Sequence, residues 1–117
     1  WTMRGHLLDD IPVLGSLQPV WDAWTPVKDQ VKRYTMDQFV KLVCLQLDEI
    51  REHDEHGRYM SATNEIVDIM AICLNWFRRM GCDTPEEVDA IIRDRCATRY
   101  DGQVQDIMDK YHNGSGL

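Results

Sequence analysis

Residues 35–57 read TMDQFVKLVCLQLDEIREHDEHG, and this stretch decides the fold class. Thr35 followed three positions later by Gln38 is a capping box of the form T-x-x-Q, the mark of a helix start. Phe39, Val43, Leu47 and Ile50 then recur at helical spacing, and Gly57 offers a stop. The pattern predicts a first long helix of about 20 residues.

Helical signals continue on both sides. Thr25-Pro26 places a capping residue before a proline. Downstream, Ser61 or Thr63 can cap a second helix whose apolar face holds Ile66, Ile69, Met70, Cys73 and Phe77 and which ends at Gly81. Thr84-Pro85-Glu86-Glu87 is the clearest start in the chain, with an N-cap threonine, a proline at the first helical position and a glutamate at the third. Val88, Ile91, Ile92 and Cys96 form its stripe, and Val104, Ile107, Met108 and Tyr111 mark a last short amphipathic segment. No stretch alternates with period two for long enough to make a strand. The expected class is all-α, a helical bundle of about four helices per chain. Residues 1–25 hold Gly5, Pro12, Gly15 and Pro19 without a sustained period and read as an irregular N-terminal arm with at most one short helix. The helical domain spans 26–112, and 113–117 form a fraying tail.

Composition bounds the function. The chain has 117 residues with 13 Lys plus Arg against 20 Asp plus Glu, a net charge of −7, which suits one domain and disfavours binding to nucleic-acid phosphates. No apolar run approaches the roughly 18 residues of a membrane span, and no signal-peptide pattern is present. A soluble cytoplasmic protein with neither membrane nor nucleic-acid partner is the expectation. Cys44, Cys73, Cys82 and Cys96 show no metal-binding spacing and read as buried free thiols.

The carboxylates are patterned. Leu42, Leu45, Glu49 and Glu52 share one strip of the first long helix, beside an apolar face centred on Val43 and Ile50. In the second, Glu65, Asp68, Ile72, Asn75 and Arg79 share a similar strip beside a face centred on Ile66 and Cys73. Acidic pairs three residues apart are usually solvated surface. Two such pairs at the edges of apolar faces, on helices joined by a short turn, instead suggest a convergent site. Four clustered carboxylates tolerate one another only with cations among them, and hard oxygen donors suit Mg²⁺ or Mn²⁺. Glu49, Glu52, Glu65 and Asp68 are the expected metal ligands.

The segments Glu49-Ile50-Arg51-Glu52 and Asn64-Glu65-Ile66-Val67-Asp68 resemble the E-x-x-E … E-x-x-D signature of MazG-like, all-α nucleoside triphosphate pyrophosphohydrolases. The resemblance runs from about Gln38 to Tyr100 and takes in Trp76, the break at Gly81 to Pro85 and the basic Arg99-Tyr100. Arg51, His53 and Asn64 depart from the usual pattern, and the asparagine common before the last basic segment has no equivalent. The resemblance implies metal-dependent cleavage of a nucleoside or deoxynucleoside triphosphate to the monophosphate and pyrophosphate, in a nucleotide pool-cleansing role. Glu52 is the expected catalytic base, and Arg79, Arg95 and Arg99 are the expected phosphate contacts. Trp21 and Trp24, with Tyr34, are candidates to stack on the base, and His6 is a candidate polar contact. Helices with apolar residues on more than half their circumference imply a second subunit, and the family is similarly built from dimers, sometimes paired as tetramers. The alternative reading is a non-catalytic helical dimer that binds a nucleotide or a protein partner.

Overall fold

The computed structural model describes residues 11–114. A short 3₁₀ turn at Gly15–Leu17 leads into α1 (Gln18–Trp24), a second 3₁₀ turn (Thr25–Val27) and α2 (Lys28–Lys32). The long helices α3 (Met36–Glu55) and α4 (Tyr59–Arg79) follow, then α5 (Pro85–Arg95), a π-helical turn (Cys96–Tyr100) and α6 (Val104–Gly114). There is no strand among the described residues, so the all-α class holds.

Two of the helix starts are built as their residue types dictate. The Thr35 hydroxyl accepts from the Gln38 backbone N–H at 3.1 Å while the Gln38 side chain accepts from the Thr35 N–H at 2.8 Å, completing the capping box of α3. The Thr84 hydroxyl accepts from the Glu87 N–H at 3.2 Å at the head of α5. The start of α4 differs from expectation. It begins at Tyr59, with Arg58 as N-cap and no side-chain cap, two residues ahead of Ser61. The reason is Gly57, whose φ of +68° turns the chain at once and lets the Arg58 N–H bond back to the His53 carbonyl at 2.8 Å. Thr63 does not cap; its hydroxyl donates to the Met60 carbonyl. Within the described part of the arm the one short helix is α1, preceded by the 3₁₀ turn, and Pro19 sits in its first turn, where a proline starts a helix instead of breaking it.

α3 and α4 form an antiparallel hairpin, pinned at its open end where the Trp76 indole N–H points to the Met36 sulfur at 3.3 Å and Phe39 stacks on Trp76. α1 and α2 lie against the C-terminal half of α4. There Trp21, Leu74, Cys82 and Val88 make a buried cluster, bordered by Leu14, Leu17, Val20 and Phe77. Arg78 is the keystone of that junction. It donates to the Trp21 carbonyl at 2.7 Å, to the Thr25 hydroxyl at 2.8 Å and to Asn75 Oδ1 at 2.9 Å, with its guanidinium 3.6 Å from the centre of the Trp21 ring. An ion pair between Lys32 and Asp83 ties α2 to the α4–α5 loop and holds the Asp83 carboxyl below its usual range.

The packed face of α3 is the expected one widened toward the carboxylate strip, whereas that of α4 is shifted. The inward stripe of α3 runs through Phe39, Leu42, Val43, Gln46, Glu49, Ile50 and His53, so Glu49 sits within the packed stripe. In α4 the centre shifts from Ile66 and Cys73, both exposed, to Ala62, Glu65, Ile69, Ile72 and Trp76. The strip bearing the carboxylate therefore faces the partner helix, and an apolar face of Val40, Leu47, Ile66, Met70, Cys73 and Met80 is left on the outside. The reading of the cysteines changes with it: Cys82 is buried, whereas Cys44, Cys73 and Cys96 are exposed. Only Val88 of the predicted α5 stripe is buried. The radius of gyration, 17.4 Å, exceeds the roughly 13 Å of a compact chain of this length, as expected for helices with uncovered apolar faces.

Candidate functional site

The turn at Gly57 sets the register that brings Glu49 of α3 against Glu65 of α4, with Asp68 one turn further along α4. The Glu65 side chain retains 18% of its exposure. Its carboxyl is pushed up to about 7, first by the hydrogen bond it shares with Glu49, then by lost hydration and the Glu49 charge, and finally by Asp68. The Gln46 carboxamide bridges the pair: with its nitrogen toward the carboxylates it donates to Glu65 Oε2 at 2.5 Å and to Glu49 Oε2 at 3.2 Å. On the other side the His53 Nε2 stands 3.7 Å from Glu65 Oε1. The Arg58 Nε donates to His53 Nδ1 at 3.1 Å. Because arginine only donates, that nitrogen is the acceptor and the ring proton lies on Nε2, facing Glu65.

Glu52 is placed differently. Its side chain is 67% exposed and turns toward Arg58, with 3.9 Å between Oε1 and Nη2. The structure thus brings three of the four predicted carboxylates together and leaves Glu52 at the rim. Among the described residues, no group of three or more His, Cys, Asp and Glu side chains stands in a ready-made metal-binding arrangement. The donor chemistry nevertheless suits a hard cation. Three carboxylates compete for one space, which pushes the Glu65 carboxyl up to about 7, and the amide of Gln46 stands between Glu49 and Glu65.

Beside this trio opens a cavity of about 330 Å³, lined by Trp24, Tyr34, Phe39, Leu42, Gln46, Asp68, Ala71, Ile72 and Asn75. It has aromatic walls from the arm and the α2–α3 link, and polar groups at the carboxylate end, the composition of a small-molecule site. Trp24 and Tyr34 border it. Trp21 does not: it is 4% exposed, in the core beneath Arg78, and has no free face for a base. His6 lies outside the described residues. Arg79 is exposed on the cavity side of α4, its Nε donating to the Tyr34 carbonyl at 2.9 Å, so it fixes the loop that carries the Tyr34 wall. Arg95 ends α5 and Arg99 lies in the π-helical turn, which pack chiefly on each other and not on the carboxylate face.

No protein-family model, curated protein or solved structure matches this chain. The site therefore rests on its own geometry. Sequence reasoning missed Gln46, His53 and Arg58 as its supports. The available signal was their position, since Gln46 and His53 sit three before and four after Glu49, on the same helical stripe.

No helix among the described residues is long and apolar enough to cross a membrane.

Proposed function

We propose that this chain is a metal-dependent nucleoside triphosphate pyrophosphohydrolase of the MazG-like kind. The observation that carries the reading is the convergence of Glu49, Glu65 and Asp68 from two helices beside an aromatic-walled cavity that Asp68 and Gln46 line. Glu49, Glu65 and Asp68 would hold Mg²⁺ or Mn²⁺, and Glu52 would join them only by turning in from its place beside Arg58. Such a cation, when bound, neutralises phosphate charge and polarises the α-phosphoryl group. The remaining work belongs to side chains. Trp24 and Tyr34 flank the base, and the Gln46 amide and the His53 Nε2–H orient the Glu49 and Glu65 carboxylates. Glu52, exposed and outside the trio, accepts the proton of the attacking water. Arg79 is the nearest of the predicted cations to the cavity; Arg95 and Arg99 reach phosphate only across a subunit contact.

The uncovered face of Val40, Leu47, Ile66, Met70, Cys73 and Met80 supports a homodimer or homotetramer. The same face is what favours the second reading, a non-catalytic helical dimer that binds a nucleotide or protein partner. Product analysis separates the two. Incubation with a panel of nucleoside and deoxynucleoside triphosphates and Mg²⁺ should release pyrophosphate and monophosphate, whereas a nucleotide that raises thermal stability without being cleaved would support the binding module.

A further inference from the structure

One polar group on the cavity wall is fixed on one side and open on the other. Asn75 is 5% exposed and lines the cavity next to Asp68 and Ile72. The Arg78 Nη1 donates to Asn75 Oδ1 at 2.9 Å. A guanidinium has no acceptor, so this bond sets which end of the carboxamide is oxygen, and Nδ2 must point away from Arg78. Arg78 cannot drift, because its other amino group is held by the Trp21 carbonyl and the Thr25 hydroxyl. Among the described residues Nδ2 has no protein acceptor, and no fully enclosed side-chain nitrogen or oxygen is left without a partner. The Nδ2 group therefore reaches open space, and the open space beside Asn75 is the cavity.

We propose that Asn75 reads the base, donating from Nδ2 to the carbonyl oxygen at pyrimidine C4 or purine C6, the place where adenine carries its amino group. The inference rests on the triphosphate reading of the site and deepens it by naming the substrate class: bases of the uracil or hypoxanthine type over adenine. Stacking on Trp24 and Tyr34 is tolerant of base identity, since every base has a flat π-face. Discrimination must come from a placed polar group. Nearly buried and held rigid, a lone donor meets that oxygen gainfully, whereas adenine presents its 6-amino donor at the same place and must shift in the cavity to offer a ring nitrogen instead. The two aromatic rings and the amide of the cavity wall thus divide affinity from selectivity.

The test is equilibrium binding of non-cleavable α,β-methylene triphosphates of uridine, inosine and adenosine to the magnesium-loaded full chain. The uridine or the inosine compound should bind at least about tenfold more tightly than the adenosine compound. Asn75→Asp keeps an acceptor for Arg78 and removes the donor, so its preference should collapse or invert while its circular dichroism is retained. If that variant fails to fold, the wild-type ranking decides alone. Adenosine binding as tightly as both carbonyl bases, or an unchanged ranking in folded Asn75→Asp, overturns the assignment. Selective binding without pyrophosphate release from the cleavable triphosphates would keep the base reader and reject the pyrophosphohydrolase. Unselective binding with release would do the reverse. Binding of none of the three overturns both.

Discussion

The Glu65 carboxyl of α4 shares a hydrogen bond with the Glu49 carboxyl of α3, so the long hairpin is closed at its turn end by two groups that would repel if both were ionised. Apolar residues at these two places would pack without penalty. Their presence in the packed stripe, supported by Gln46 and by His53 on Arg58, is the feature that the proposed chemistry accounts for.

Stability of the metal-free protein should carry the signature of that pair. Glu65 is raised from 4.5 to about 7, so its folded state binds a proton that the unfolded chain releases earlier. Its stabilising contribution is complete below about pH 4.5 and is lost as pH rises through about 7. Urea unfolding of wild type and Glu65→Gln at pH 5 and pH 8 checks this: the variant should lose less stability than wild type between the two.

Arg78 holds three acceptors and the face of Trp21 in a site where it is 2% exposed. Arg78→Ala leaves Asn75 Oδ1 without its donor, takes one donor from the Trp21 carbonyl and the Thr25 hydroxyl, which keep their own 2.9 Å bond, and opens a void under Trp21, which should cost about 3 kcal/mol in denaturant unfolding. Arg78→Lys should recover only part, since one ammonium cannot match the fork.

Thr35→Ala removes the acceptor of the α3 capping box and should cost about 1 kcal/mol. Gly57→Ala, at φ +68°, should cost a similar amount, about 1–2 kcal/mol, through the left-handed backbone alone, since no atom would meet the new methyl group. Both are read from denaturant midpoints.

The uncovered apolar face predicts self-association. Sedimentation should give a dimer or tetramer, and Met70→Asp, a charge placed mid-face on an exposed position, should shift it to monomer without loss of helix content.

Much of this fold was legible because local chemistry and tertiary structure agree. Thr35 with Gln38, and Thr84 with Pro85 and Glu87, mark helix starts wherever they are placed. The two carboxylate strips were visible for the same reason, as helical spacing alone puts Glu49 with Glu52 and Glu65 with Asp68. What periodicity could not say is which side of each helix meets the other. A face centred on Ile66 and Cys73 is the more apolar choice, yet the tight turn at Gly57 and the seat of α1 and α2 on α4 direct Glu65 and Ile72 inward. The turn also swings Arg58 toward Glu52, so that the E-x-x-E pair splits, with one member in the packed stripe and the other at the rim. Trp21 and Trp24 looked equivalent in the arm. A residue 57 positions later, Arg78, covers the first and leaves the second at the cavity.

The central claim is that Glu49, Glu65 and Asp68 serve a magnesium-dependent cleavage of triphosphates. Pyrophosphate release by wild type, Glu49→Ala and Asp68→Ala, with Mg²⁺ and with chelator, tests it most directly. Wild type should release pyrophosphate only with Mg²⁺, and each variant should lose at least about a hundredfold in rate while remaining folded. No release from any triphosphate, or undiminished release from the folded variants, would contradict it.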